Sequence, residues 1–281
     1  MTIFSRKSRF RAGLATLFLV AALAQPTIMV AGATPAAASF GISTGKGIDA
    51  CGLMNNTARA QAFWQNTPYN NIGIYIGGSS AACPTNSASF VSSLVNMGWG
   101  IMPLWVGPQA PCTSYGSRFS SNTTTAYNQG KNEAIASYNK LISLGMSTDN
   151  TPVIYDLEAF DTSNSGCLSA AKAFIRGWTE QLHVPPAQKA GVYGSSCASG
   201  IGTYASNNPA PDFIHGADWD GITSTSNMAC VSAGNWTLHQ RHKQYRGGHS
   251  ETWNGVTVSV DSDCSNGPVY PAGDTASQGC V

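Results

Sequence analysis

The sequence predicts an α/β protein built as a TIM-like (β/α) barrel whose second half is irregular. Short apolar runs of strand length recur eight times, and helical patterns separate the early runs. The chain beyond residue 38 is long enough for one such barrel. The eight runs lie at residues 47–50, 72–76, 100–106, 153–157, 189–193, 213–219, 237–245 and 256–261.

Helical spacing of apolar residues marks four segments between the first five runs, at residues 58–65, 87–97, 127–144 and 168–183. Strands that alternate with helices indicate parallel βαβ units. After the fifth run we expect only a short helix at 201–205, and we expect loops or a hairpin at 221–235 and 247–255. The expected architecture is therefore about five βα units followed by three strands.

The first 38 residues have the composition of a secretory signal peptide. Four basic residues between positions 6 and 11 precede an uncharged apolar run at 12–24, and small residues follow it. We expect cleavage after Ala38, which leaves 39–281 as a single domain. The apolar run is shorter than the roughly 20 residues that a membrane span needs. We therefore expect no stable membrane span, and a protein that is secreted or associated with the cell wall.

The charge balance limits the class of partner. Removing the four basic residues of the leader leaves eleven basic residues against fourteen acidic ones. A nucleic-acid partner requires a basic patch, so a mildly acidic mature chain argues against one. We expect a monomer whose partner is a polysaccharide, with no cofactor and no metal site.

All eight cysteines follow the leader, and an even count after a signal peptide indicates disulfides. Zinc is the alternative, but no CxxC pair occurs and no His lies at ligand spacing from a Cys. Six of the cysteines lie a few residues past strand ends, which predicts one common rim. Of about 105 possible pairings, joining neighbouring loops favours Cys51–Cys83, Cys112–Cys167, Cys197–Cys230 and Cys264–Cys280.

Acidic, amide and aromatic side chains collect at the predicted C-terminal ends of the strands, where (β/α) barrels place their catalytic groups. Only 10% of the residues are charged, so this concentration of acids is the strongest functional signal. Exposed aromatic faces stack on sugar rings, although simple core packing remains open for about half of the aromatics. The candidate substrate-binding residues are Asp49, Tyr75, Trp105, Gln109, Tyr193, Trp219, Gln240 and Asp261.

Asp156-Leu157-Glu158 is the sharpest single motif. Residues two apart on a strand share a face, so both carboxyls are expected in the barrel mouth while Leu157 packs outward. Glycosidic cleavage needs two carboxyl groups in different protonation states. A neighbouring carboxylate, Asp156, is expected to raise the pKa of Glu158 and keep it protonated. The alternative is a helix N-cap followed by a surface acid.

Two other patterns favour plainer interpretations. The acidic stretch 261–267 has Gly267 in the seventh position rather than the sixth, so it does not fit an EF-hand loop. The basic cluster at 239–246 is expected to be a solvated face.

The motifs at 47–49, 153–158, 191–193 and 260–261 resemble the glycoside-hydrolase-like domain family of secreted, mainly actinobacterial proteins. That family is similar to the Chalaropsis-type lysozymes, which cleave the glycan of peptidoglycan. Those enzymes have five βα units followed by three strands. The resemblance extends over residues 45–263 and implies the same barrel for this chain.

The resemblance also implies roles for individual residues. Glu158 would be the general acid, and Asp156 its electrostatic partner or the group that orients a substrate N-acetyl group. Asp49 and Asp261 would flank the site, and Gln240 and Tyr193 would contact sugar. The lysozymes usually carry a Trp-Gln-Tyr run on the seventh strand, where this chain is expected to read Leu238-His239-Gln240-Arg241.

The sequence therefore predicts a secreted glycoside hydrolase that acts on cell-wall or other extracellular polysaccharide. One alternative is a barrel of the cell envelope that binds glycan without cleaving it. Another is a disulfide-rich envelope protein whose acids coordinate an ion.

Overall fold

The computed structural model describes residues 40–146, 149–271 and 273–280. The expected signal peptide and its cleavage after Ala38 lie outside the described residues. The strands are β1 (Gly41–Asp49), β2 (Asn71–Gly77), β3 (Gly100–Trp105), β4 (Pro152–Asp156), β5 (Lys189–Ser195), β6 (Phe213–Ala217), β7 (Arg241–Trp253), β8 (Val256–Val269) and β9 (Thr275–Ala276). The α-helices are α1 (Thr57–Asn66), α2 (Ala88–Met97), α3 (Thr123–Ser143) and α4 (Ser165–Leu182), and 3-10 helices lie at Cys51–Leu53 and Ile201–Ser206.

Strands β1 to β8 close into a barrel, which confirms the predicted fold class. β1 through β7 run parallel, and β8 lies antiparallel between β7 and β1. The short β9 pairs with the outer end of β1. Four βα units with α-helices are followed by β5 with its 3-10 helix, and then by three strands without helices, as the sequence predicts.

Local sequence explains where the α-helices begin. Asn56, Ser87, Asn122 and Asn164 each occupy the N-cap, and each side chain accepts a hydrogen bond from the backbone N–H three residues later. Helix α2 ends at Gly98, whose φ of 103° places it in the left-handed region. The boundaries of the four helices agree with the predicted segments to within a few residues.

The apolar core fills the layer between the strands and the helices. Leu157 and Trp178 are fully buried there, so the outward packing expected for Leu157 is confirmed. Helices α3 and α4 cross closely because Gly130 and Gly177 bring the backbones together; a Cβ on either glycine would lie about 2 Å from a carbonyl oxygen of the other helix. A smaller apolar cluster lies inside the barrel, with Phe213 at its centre.

The seventh strand is shifted from its predicted position. Residues 237–240 form a turn in which His239 has a φ of 54°, and β7 runs from Arg241 to Trp253. The interpretation of 239–246 as a solvated face is wrong, because His242 and Lys243 are fully buried. The Lys243 ammonium is neutralised by Asp220, whose two carboxylate oxygens lie 2.8 Å from Nζ.

The segment 247–255 proves to be a hairpin. Asn254 and Gly255 form its turn with φ values of 46° and 75°, as expected for an Asn-Gly pair. After this turn β8 runs antiparallel to β7 and β1. The expectation that Asp261 lies at the C-terminal end of a parallel strand is therefore wrong. Asp261 lies within β8, directly opposite Asp49 of β1.

All four predicted disulfides are confirmed: Cys51–Cys83, Cys112–Cys167, Cys197–Cys230 and Cys264–Cys280. Cys264 is fully buried within β8 opposite Lys46, so the expectation that it shares the rim of the other loops is wrong. Within the described ranges, no helix combines the length and the apolar character needed to cross a bilayer.

Candidate active site

A cavity of about 230 Å³ opens at the C-terminal end of the parallel strands. It brings together seven of the ten predicted site residues, and Leu104 and Gln244 complete its lining. Those seven residues are Asp49, Tyr75, Asp156, Glu158, Tyr193, Trp219 and Asp261. The four acids predicted from three different strands therefore meet in one place.

The end of β4 and the two residues after it supply the central pair. Their side chains alternate between the two faces of the sheet. Asp156 and Glu158 line the cavity, while Leu157 between them is buried against the helices. The Asp156 side chain is almost enclosed, and its Oδ1 has no hydrogen-bond partner in the described part of the chain. Glu158 is only partly buried and lies nearer to solvent.

Gln109 holds the backbone of this pair rather than facing the cavity. Its Nε2 donates to the Asp156 carbonyl oxygen at 2.9 Å, and its Oε1 accepts from the Glu158 backbone N–H at 2.8 Å. The Gln109 side chain is fully buried. The structure therefore makes it a positioning residue and leaves its expected contact with substrate unsupported.

Asp49 is held by two donors on the opposite wall. The Tyr75 hydroxyl donates to Oδ1 and the Gln244 Nε2 donates to Oδ2, both at 2.8 Å. Tyr193 and Trp219 in turn donate to Gln244 Oε1 at 3.0 and 2.9 Å. These two donors fix the orientation of the amide, so that its N–H₂ group faces Asp49.

Burial and mutual repulsion raise the pKa values of the central pair. Desolvation raises the pKa of Asp156 well above its usual value, and the negative charges of Glu158 and Asp49 add to the shift. Burial also raises the pKa of Glu158, and the charge that contributes most is that of Asp261. The charge of Asp261 therefore adds to the mutual repulsion between Asp156 and Glu158, which is seen in the raised pKa of Asp156.

The carboxyls on β1 and β8 show the same tendency with more compensation. Burial raises the pKa of Asp49 well above its usual value, and the charges of Asp263 and Asp261 act in the same direction. The hydrogen bond from Tyr75 opposes this rise. Burial likewise raises the pKa of Asp261, opposed by its hydrogen bonds with Asp49 and with the backbone of Gly248.

A buried polar layer lies beneath the cavity. His215 Nε2 lies 3.0 Å from Asp263 Oδ1, and both side chains are fully buried. His242, which pairs with His215 across β6 and β7, contacts Ser265 Oγ through Nδ1 at 2.9 Å. Desolvation lowers the pKa of His215 to about 4 and that of His242 to about 3, so both rings are neutral at pH 7.

Two other predicted site residues lie outside the cavity lining. Trp105 faces away from the barrel axis, and its Nε1 donates to Glu133 Oε2 at 2.6 Å. Gln240 precedes β7 at the other end of the barrel, and its Nε2 donates to the Asp212 carbonyl oxygen at 2.7 Å. The expected position of Gln240 in the mouth is wrong because β7 starts later than predicted.

Gln244 occupies the position in the cavity lining that was expected for Gln240. The sequence did contain a signal for it, because Gln244-Tyr245 matches the last two residues of the Trp-Gln-Tyr run sought on the seventh strand. Lys243 stands where that run has Trp. Across the residues that the structure describes, no group of three or more His, Cys, Asp and Glu side chains is arranged to hold a metal ion.

Comparison with known proteins gives one sequence match and several structural ones. Residues 61–265 match the sequence profile described as Rv2525c-like, glycoside hydrolase-like domain. No curated protein matches the chain. An uncharacterized protein of B. stearothermophilus has a similar fold, with a TM-score of 0.52 and 15% identity over 78% of this chain and 95% of that one.

The modular autolysin LytC from Streptococcus pneumoniae is similar to the same degree, with a TM-score of 0.52 and 15% identity over 78% of this chain. The chain spans only 46% of the length of LytC. A structure of LytC in complex with a synthetic peptidoglycan ligand gives a TM-score of 0.51 at 15% identity, over 78% of this chain and 46% of LytC. At this level of identity the likeness shows a shared fold.

Proposed function

The chain belongs to the Rv2525c-like, glycoside hydrolase-like domain family, as its sequence resemblance predicts, and on that premise we propose that it is a secreted, monomeric glycoside hydrolase of cell-wall or other extracellular polysaccharide. One observation supports this most strongly: Asp156 and Glu158 enter the same cavity as Asp49 and Asp261. Hydrolysis of a glycosidic bond requires carboxyl groups in different protonation states on either side of that bond. The proposed reaction requires no cofactor.

Glu158 is the proposed general acid. It is the more exposed member of the pair, and its raised pKa keeps a proton available at mildly acidic pH. That proton passes to the glycosidic oxygen as the bond between this oxygen and the anomeric carbon breaks. The positive charge that develops on the sugar ring is stabilised by the surrounding carboxylates. Water then adds to the anomeric carbon, directly or after a covalent intermediate, and gives its proton to a carboxylate of the site, which completes the hydrolysis.

Asp156 is the proposed partner of the acid. Its Oδ1 has no hydrogen-bond partner in the described residues, although the atom is buried. A buried acceptor of this kind can receive an N–H from a substrate acetamido group. Such a donor lowers the pKa of Asp156, so substrate binding favours the ionised carboxylate when charge develops at the ring.

The remaining cavity residues are proposed to hold the sugar. The Trp219 side chain is 67% exposed at the mouth while its Nε1 is tied to Gln244, so its ring can stack on a sugar face. Tyr193 and Asp261 also line the cavity. Four disulfides suit an oxidising environment outside the cell, and the peptidoglycan ligand of LytC suggests wall glycan as the first substrate to test.

The test is incubation of the purified protein with isolated bacterial cell walls and with a panel of extracellular polysaccharides, while new reducing ends are counted. We expect reducing ends to accumulate with at least one glycan. We expect the Glu158→Gln variant to release almost none. Failure of the wild-type protein to cleave any glycan in the panel would contradict the proposal.

A glycan-binding barrel without catalysis is the second candidate, and the seclusion of Asp156 favours it. The side chain is only 5% exposed, and repulsion together with burial favours its neutral form. A binding protein would retain the same affinity for glycan after Glu158→Gln and would release no reducing ends in either form. Measuring affinity and cleavage on the same samples separates the two candidates.

A further inference from the structure

A second cavity of about 300 Å³ adjoins the acid cavity. Asp49, Tyr75 and Asp261 line both cavities, and we call the two together the groove, with the acid cavity as its first arm and the second cavity as its second arm. The second arm of the groove is walled by the hairpin at Thr257–Ser259 and by the 3-10 helix at Cys51–Leu53. Trp219 belongs to the first arm only.

The two arms differ in charge. The first arm contains the carboxyls of Asp156 and Glu158 and no Lys or Arg side chain. The second arm contains Arg59, which is the one basic residue in the lining of either cavity. Within the part of the chain that the structure describes, no carboxylate oxygen lies within 4.0 Å of the Arg59 guanidinium.

Arg59 is held in place without being neutralised. Its Nη1 donates to the Gly52 carbonyl oxygen at 3.1 Å. The adjacent Cys51 is tied to Cys83 by a disulfide, and a Cβ on Gly52 would lie 2.9 Å from Val258 of the hairpin. The remaining N–H groups of the guanidinium are available to donate hydrogen bonds to a ligand. The planar guanidinium matches the geometry of a carboxylate, with which it can form two parallel hydrogen bonds.

We propose that the second arm binds a sugar that carries a carboxylate, which pairs with Arg59. This inference rests on the proposed function, and it narrows the substrate class to glycans with free carboxyl groups. The first arm offers no basic side chain that could pair with such a carboxylate, whereas the second arm offers Arg59. We therefore place the anionic sugar in the Arg59 arm and a neutral sugar in the Trp219 arm.

The carboxylate could belong to a lactyl ether or to a uronic acid, and both sources can be tested. The first probe is peptidoglycan strands from which the peptides have been removed, so that the lactyl carboxylates are free. The second is a uronic-acid polysaccharide. Each probe is compared with the same glycan after chemical reduction of its carboxyl groups. Binding is measured by calorimetry with the full-length protein, at low and at high salt.

We expect the wild-type protein to bind at least one carboxylated glycan about tenfold more tightly than its reduced form, as one exposed charge-assisted pair provides. The preference should weaken at high salt. Arg59→Gln should remove the preference, and Arg59→Lys should restore part of it. Arg118→Gln is the matched control, because Arg118 is also exposed and also donates Nη1 to a backbone carbonyl, that of Thr113, but lines neither cavity.

Equal binding of carboxylated and reduced glycans, a preference that survives Arg59→Gln, or no binding to any of the four glycans would overturn the inference. The hydrolase proposal fails in a different way. If carboxylated glycan binds with an Arg59-dependent preference but no reducing ends appear, the inference stands and hydrolysis is wrong. If both forms are cleaved equally fast and bound equally well, hydrolysis stands and the role of Arg59 is wrong.

Discussion

Two pairs of carboxyls meet in the barrel mouth, and they are held in different ways. Asp49 receives hydrogen bonds from Tyr75 and Gln244 and lies opposite Asp261 across paired strands. Asp156 has an oxygen without a partner in the described residues. The β1–β8 pair is thus fixed by the protein, whereas the β4 pair leaves hydrogen-bonding capacity for a ligand.

This difference explains how four acids in one barrel mouth can have different roles. Donors that are already in place stabilise the ionised form of a buried carboxyl and fix its orientation. A carboxyl without such donors stays protonated until substrate or another proton acceptor arrives. We therefore assign a fixed orientation and a fixed electrostatic environment to the β1–β8 pair, and the changes in protonation to Asp156 and Glu158. Glu158 gives its proton to the leaving group, and Asp156 ionises when substrate binds.

The largest expected effect concerns Glu158. Glu158→Gln removes the transferable proton and keeps the shape of the side chain, and should lower kcat on a natural glycan by about 10²–10⁴-fold. The loss should be smaller on an aryl glycoside, because a good leaving group needs no protonation. Glu180→Gln, on helix α4, is the control and should leave the rate unchanged. Near-normal turnover of the glycan by Glu158→Gln would show that another group is the acid.

A substitution of Gln244 tests the role of the β1–β8 pair, Asp49 and Asp261. Gln244→Ala removes a hydrogen bond from the buried carboxyl of Asp49 and frees the Trp219 indole, and should lower kcat/KM by about 10–100-fold, as 1.5–3 kcal/mol implies. Gln240→Ala is matched in chemistry but lies at the other end of the barrel, so its kcat/KM should match that of the wild type. The assignment of Gln244 to the site is wrong if the two variants behave alike.

The buried layer below the mouth should affect stability. His242 is neutral in the folded protein because burial lowers its pKa from the usual 6.5 to about 3. Below pH 6.5 the unfolded chain takes up a proton that the folded chain excludes, so stability is lost as pH falls from 6.5 towards 3. Between pH 7 and pH 5 this loss is about 2 kcal/mol for one such His.

Urea unfolding at the two pH values measures this loss. His242→Asn should reduce the pH dependence by that amount, and His239→Asn, in an exposed turn, should leave it unchanged. An NMR titration of the wild-type protein provides a second readout that does not require the variant to fold. A His242 ring that becomes protonated near pH 6 in the folded protein would contradict the prediction.

The smallest effect concerns the pH profile and distinguishes the two pairs directly. Asp261 is the charge that most raises the pKa of Glu158. Asp261→Asn should therefore lower that pKa and move the alkaline limb of kcat/KM to lower pH. Asp156→Asn should reduce the rate but move this limb less. A larger shift in Asp156→Asn would restore the sequence-based assignment, in which Asp156 sets the pKa of Glu158.

Local sequence rules were sufficient for much of the site. Asp156 and Glu158 follow a short apolar run, and period-two alternation alone places both on the inner face. The same alternation leaves Leu157 outside, as the structure shows. Three of the four disulfides join segments that follow consecutive strands of the barrel, which is why proximity along the chain predicted them; Cys264–Cys280 instead ties β8 to the C-terminal segment.

Non-local pairing explains what the sequence did not reveal. The start of β7 is set by its alignment with β6, in which Arg241 lies opposite Ile214, and the Gln244-Tyr245 pair is the one local sign of this register. The direction of β8 depends on the hairpin turn at Asn254, in a segment where the sequence left loops and a hairpin both open. The turning of Trp105 away from the axis and the burial of Gln109 depend on contacts with Glu133 and with β4.

The antiparallel closure has a consequence for how relatives of this protein can diverge. An antiparallel hairpin can lengthen or shorten by a pair of residues, one on each strand, without changing which side chains face inward. The stretch from Gly247 to Ser259 can therefore vary in length while Asp261 stays opposite Asp49. Variation in substrate range between relatives is expected to concentrate in the length of this hairpin, with the barrel below it unchanged.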